Sequence, residues 1–263
     1  MKENAIGKPK SNTAIADLDK INWNRLYHAY GIATDTPNHM QNLLSHDLVQ
    51  RNNAIGHLFS AVLHQGTVYT VTPIVVQILI SVLHDPVLNE DMSEFYREKY
   101  KARLAQTKKE LSSPNITDIM KKPLLHRCTQ LEKVLASQDG NNGLVQVLSF
   151  FDHVGESLSY NEVPIENSSP SAEELDTLFN SASEEDDNEE FWISPLHEKL
   201  TNRAIFDLFR MADDVLASIN CFVSDTNPAV MQTAKNAAAS WAKVAAKKHG
   251  HGLRADSLQL AID

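Results

Sequence analysis

An all-α fold, built as an irregular stack of antiparallel helical hairpins, is what this sequence predicts, and three observations carry the prediction. Apolar residues recur at i, i+3, i+4 and i+7 through most of the 263 residues. A capping residue followed by proline, the signature of a helix start, occurs at Thr36-Pro37, Ser194-Pro195 and Asn227-Pro228. Glycine is scarce, nine in the whole chain, where a protein made of strands and tight turns would need more. With 42% hydrophobic and 22% charged residues, the chain has the composition of a globular protein with a sizeable core.

Residues 1–18 are polar, with no apolar centre, so a poorly ordered tail is expected there and not a signal peptide. The main body of helical repeats is expected over 19–160. Trp23, Leu26, Tyr27 and Tyr30 predict a short helix stopped by Gly31. Thr36-Pro37 opens a helix running to about Ser45, and Asp47 caps the next, with Ile55, Leu58, Phe59 and Val62 on one face and Gly66 at its end. Val71, Ile74, Val75, Ile78, Leu79 and Val82 make the wide apolar band of a helix with neighbours on two sides. A buried strand competes there, but the length favours helix.

Ser93 to Leu111 carries a narrow stripe, Tyr96, Tyr100, Leu104 and Leu111, and Leu124, Cys128, Leu131 and Leu135 make the following face. After the Gly-Asn-Asn-Gly turn at 140–143 comes a strong face of Leu144, Val147, Leu148, Phe151, Val154 and Leu158. Residues 161–192 break the pattern and are expected to form a flexible acidic insert with one short helix. That helix would open at the capping box Ser171-Ala-Glu-Glu174. A C-terminal hairpin is expected over 193–250, its second helix rich in alanine, and a tail over 251–263.

Charge is concentrated. The net charge is −10, yet removing the eleven carboxylates between Asn161 and Trp192 would leave +1. Residues 93–133 carry the opposite bias, ten Lys or Arg against five Asp or Glu. The acidic insert is therefore the strongest functional clue. Its candidate partner-binding residues are the helix-in-groove anchors Leu175, Leu178 and Phe179, with the carboxylates Glu174, Glu184, Glu185, Asp186, Asp187, Glu189 and Glu190. Such a segment speeds association with a basic partner. Nucleic acid is disfavoured by the overall charge, because carboxylates also interrupt the basic stretch.

The stretch Asp47-Leu-Val-Gln-Arg51-Asn-Asn-Ala54 resembles the second-helix signature of HEAT repeats, and Asp225-Thr-Asn-Pro-Ala-Val230 with Ala234 and Ala237 is similar to a weaker copy lacking the arginine. His28-Ala-Tyr-Gly31, Asp35, Pro37 and His64-Gln-Gly-Thr67 resemble an N-terminal segment of HEAT-like microbial proteins. The resemblance implies an irregular α-solenoid that presents a binding surface and not a reaction centre.

No catalytic or metal-binding residue and no cofactor is expected. His57 and His64, like His39 and His46, are seven apart, and no carboxylate completes either pair. His84-Asp85 resembles the dyad of all-α HD phosphohydrolases, but Pro86 follows directly and turn chemistry explains it better. Asp139 to Gly143 lacks the alternating carboxylates of a calcium loop and reads as a turn. Cys128 and Cys221, each on an apolar helix side, form neither a disulfide framework nor a zinc site, so a reducing cytoplasm is the expected setting. The most apolar run, Ile74 to Leu83, is half the length of a membrane span. The function expected is non-enzymatic protein binding, with a lean towards an acidic immunity or inhibitor protein that binds a basic protein such as a toxin. A general scaffold or an all-α metal-dependent phosphohydrolase on His57 or His64, His84 and Asp85 are the alternatives.

Overall fold

The computed structural model describes residue 15 and residues 17–113, 116–136, 142–164, 171, 173, 174, 176, 177 and 195–251. Among these the protein is mostly helical, with eight α-helices and two small β-hairpins. The helices are α1 (Thr36–Asn42), α2 (Leu48–His57), α3 (Val71–Val82), α4 (Ser93–Leu111), α5 (Asp118–Ala136), α6 (Gly143–Tyr160), α7 (Pro195–Asn220) and α8 (Pro228–Gly250). Strands β1 (Tyr27–His28) and β2 (Gly31–Ile32) form one antiparallel hairpin, β3 (Leu63–His64) and β4 (Thr67–Val68) the other.

Several starts fall where the sequence puts them, and the side chains show why. Asp47 accepts from the amides of Val49 and Gln50, satisfying orphan N–H groups at the head of α2. Asn142 does the same for α6 by accepting from Val145, and Asn227 for α8 by accepting from Ala229. The α3 segment is helical, and eight of its twelve residues are buried, which accounts for its wide apolar band.

The hairpins correct the N-terminal reading. Trp23–Arg25 is a single 3₁₀ turn, and Tyr27 and His28 then leave the helical path to pair with Ile32 and Gly31. Gly31 does not cap a helix; at φ +114° it lies inside β2, in backbone that side chains other than hydrogen rarely adopt. The second surprise is similar. α2 widens into a π-turn at Leu58–Val62 and gives way to β3, so Gly66 sits with Gln65 in a hairpin turn where both have positive φ. The π-turn frees the Ala61 carbonyl, which accepts from the Ala29 amide and docks the first hairpin onto α2. Chain order at the N-terminus also differs from a tail ending at residue 18: Leu18 is buried and accepts the Trp23 indole N–H at 2.9 Å.

No solenoid is recognised in the packing of the described residues. α8 lies along α6 as well as α7, and α7 returns to cover α3, so one continuous core joins both ends of the chain. Among the described residues, α4 and α5 pack mainly on each other and are tied to the body where Phe95 and Tyr100 pack against the main core and Lys99 donates to Asn52. Cys221 is exposed in the turn after α7, not on an apolar face.

The α6–α8 crossing is close because Gly155 has no side chain. A Cβ there would lie 2.9 Å from Trp241 Cδ1 and 3.0 Å from Ser240 Cβ. Trp241 donates its indole N–H to the Phe151 carbonyl at 2.7 Å, and Ser240 donates to Asp152 at 2.6 Å. Gly155→Ala gains about 1 kcal/mol of helix propensity but overpacks this contact by about 2–3 kcal/mol. A net loss of about 1–2 kcal/mol is expected in urea unfolding; unchanged stability would show that α8 shifts freely against α6.

Candidate functional site

Among the described residues, two features can carry chemistry or recognition: a cluster of histidines at the first hairpin, and an open groove whose lining ends at Asn161, one residue before the acidic stretch begins in sequence. The cluster forms where three elements meet. β1 supplies His28, the head of α1 supplies Asp35, Thr36 and His39, and the end of α2 supplies His57. His57 stacks on His39 with ring centroids 4.1 Å apart and meets His28 edge-on at 5.4 Å. His28 and His57 are buried, while Asp35 is 55% exposed and opens the cluster to solvent.

Hydrogen bonds set the tautomers. The Tyr30 amide donates to His28 Nδ1 at 3.0 Å, so the ring proton sits on Nε2, which donates to Asp35 Oδ1 at 2.9 Å. The second Asp35 oxygen lies 3.9 Å from His57 Nδ1, and His57 Nε2 pairs with the Thr36 hydroxyl at 2.9 Å. Neither Asp35 nor Thr36 therefore caps α1 with its side chain, as the sequence leads one to expect of Thr36; the helix head gives up both groups to the histidines. His28 Nε2, an Asp35 oxygen and a His57 ring nitrogen lie within 4.8 Å of one another, a set able to hold a metal ion.

The cluster has its own electrostatics. Burial pushes the His57 imidazole down to about 4, with His39 and His28 adding to the depression and Asp35 opposing it. Burial acts to raise the Asp35 carboxyl, but the His28 hydrogen bond and the charges of His28 and His57 outweigh it, so Asp35 stays below its usual range.

The groove lies between the second hairpin and the C-terminal half of α6. It encloses about 610 Å³, lined by Phe59, Leu63, Gln65, His153, Glu156 and Tyr160 among others. Phe59 meets the His153 ring edge-on at 5.6 Å, Ser157 donates to the Gly66 carbonyl, and Tyr160 is 81% exposed at the rim. Lys247 of α8 donates to the carbonyls of Ser159 and Asn161 at the end of α6, fixing that rim and complementing the helix dipole.

Of the sequence-derived site residues, Glu174 is placed. It completes the capping box, accepting from the Ser171 amide at 2.6 Å while its own amide donates to Ser171 Oγ, and it pairs with Lys199 at 2.7 Å. Lys199, then the Ser171 amide, hold its carboxyl down to about 2. Asp176 pairs with Arg25 at 2.9 Å. These two carboxylates therefore meet the body of the protein and not the basic α4–α5 arm. Leu175, Leu178, Phe179, Glu184, Glu185, Asp186, Asp187, Glu189 and Glu190 lie outside the described residues.

The paired histidines of the sequence reading separate. His46 bonds to Glu90, and His64 turns its Nδ1 to the Ser60 carbonyl. His84 stacks on Phe222, and Asp85 caps the 3₁₀ turn Pro86–Asn89 through the Val87 amide, so that dyad serves the fold. Asn142 is a helix cap and not a calcium ligand. What sequence reasoning missed is His28, Asp35, His39 and His57 as one group. The only local signal was Asp35 and His39 at i, i+4 on one helix face; His28 and His57 join them through tertiary contact alone. Comparisons with protein-family models, curated proteins and solved structures match nothing, and no family or repeat is identified for the chain.

His57 makes stability depend on pH. Its pKa falls from 6.5 to about 4 on folding, so its contribution is whole above about 6.5 and is lost as pH falls from there to about 4. The loss is on the order of 3 kcal/mol for a group this buried. In chelator, the urea midpoint should drop through that window, and His57→Gln should flatten the dependence. A midpoint equal at pH 7 and pH 4.5 would contradict it.

Proposed function

We propose that this chain is a non-catalytic protein-binding module that takes an amphipathic basic segment of another protein, in the manner of an inhibitor of a basic protein such as a toxin. One observation carries the reading: the apolar, aromatic groove ends at Tyr160 and Asn161, and the acidic stretch begins at the next residue, Glu162. A basic amphipathic ligand needs both features together. Phe59, Leu63 and Tyr160 would take its apolar side chains, Glu156 a nearby cation, and the carboxylates of 162–190 other than the paired Glu174 and Asp176 would steer its approach. The groove is too small for a whole domain and suits a few side chains of one segment.

The scaffold reading uses the same surface. The phosphohydrolase reading gains no support, since His84 and Asp85 are occupied by Phe222 and the Val87 amide.

The test is a titration of the full chain with a labelled amphipathic Lys/Arg-rich peptide, beside its Glu-substituted counterpart. Binding should weaken steeply with salt, and Tyr160→Ala or Glu156→Lys should each cost about 1–2 kcal/mol, roughly fivefold to thirtyfold in Kd. Equal affinity for both peptides, or indifference to both substitutions, would refute the groove.

A further inference from the structure

We propose that His28, Asp35 and His57 form a binding site for one divalent transition metal ion of the zinc class, which ties the first hairpin to the head of α1 and the end of α2. This goes beyond the protein-binding reading and does not rest on it. Two imidazoles and one carboxylate make a donor set of borderline softness, suited to Zn²⁺ or Co²⁺ and poorly suited to the all-oxygen preference of Mg²⁺ or Ca²⁺. The three donor atoms lie within 4.8 Å of one another. Tetrahedral ligands at about 2.0–2.1 Å from zinc sit about 3.3 Å apart, so donors at most 4.8 Å apart need to close by no more than about 1.5 Å. The exposed side of Asp35 is the entry path and leaves a fourth position for water.

The surroundings suit two of the ligands directly. With Nδ1 of His57 on the metal, its Nε2–H donates to the Thr36 hydroxyl, already 2.9 Å away, and His39 stacks on the ring and fixes its plane. Asp35 keeps both oxygens directed into the cluster at His28 and His57.

His28 must change partners. It coordinates through Nε2 only after that nitrogen gives up its proton, and the ring then carries its one N–H on Nδ1. The proton displaced from the site goes to solvent. Nδ1–H and the Tyr30 N–H cannot both point into the same 3.0 Å gap, so occupancy turns the Tyr30 amide outward. Tyr30 can yield, because it sits in the two-residue turn of the hairpin with its side chain 65% exposed. Metal binding thus leaves a local signature at Tyr30 that adventitious surface binding would not.

The experiment uses the full chain purified without a histidine tag and stripped with chelator. Zn²⁺ titrated by calorimetry should bind at one ion per chain with Kd at micromolar or below, while Mg²⁺ should not bind. Co²⁺ should give the intense visible bands of a tetrahedral site, and the Tyr30 amide should be among the resonances that shift most on Zn²⁺ addition. Asp35→Asn, a conservative change at an exposed side chain, should weaken Zn²⁺ at least tenfold and abolish the Tyr30 shift; His153→Asn, on the groove, should change neither. Absence of stoichiometric binding to the native chain would overturn the proposal whether or not any variant folds. Binding that survives Asp35→Asn with Tyr30 unmoved would overturn it too, by assigning the ion to other histidines.

Discussion

Trp241 seats against the bare Cα of Gly155 and gives its indole N–H to Phe151, and through this contact α8 holds α6 in place. Much of the rest depends on it. α6 forms one wall of the groove, and its last turn is capped by Lys247 of α8. Because α7 precedes α8 and covers α3, the crossing also closes the C-terminal hairpin over the N-terminal half. Residues ninety apart in sequence, Phe151 and Trp241, thereby share one core.

The histidine cluster shows a different trade. α1 is a short helix of seven residues, and short helices depend on their caps. Yet Asp35 faces His28 and Thr36 faces His57, leaving the helix head without a side-chain cap. A local rule is broken where three imidazoles and a carboxylate are gathered together. Such violations are expected at sites with a use beyond stability.

Two buried cations elsewhere are matched more conservatively. Arg51 is wholly buried, and donates to the Ser45 carbonyl and to Glu90. Lys248 is equally buried and reaches the Arg210 carbonyl and Asp213. The Arg51 that suggested a repeat signature is thus a staple between the α1–α2 linker and the 3₁₀ turn at Pro86–Asn89, a role that any helical body could use.

The sequence by itself determined the helical class, most helix boundaries after residue 47, the capping residues Asp47 and Asn227, and the place where charge collects. These are local properties, encoded in apolar period, cap chemistry and composition, and need no distant partner to be read. Tertiary structure alone decided the hairpins at Tyr27 and Leu63, the packing of α7 on α3, and the meeting of His28 with Asp35 and His57. The spacing of Trp23, Leu26, Tyr27 and Tyr30 satisfies a helix as well as it satisfies a 3₁₀ turn and hairpin. What chose between them was the Ala61 carbonyl, freed by a π-turn thirty-two residues away and waiting for the Ala29 amide. Only chain folded around such a non-local bond brings the histidines together.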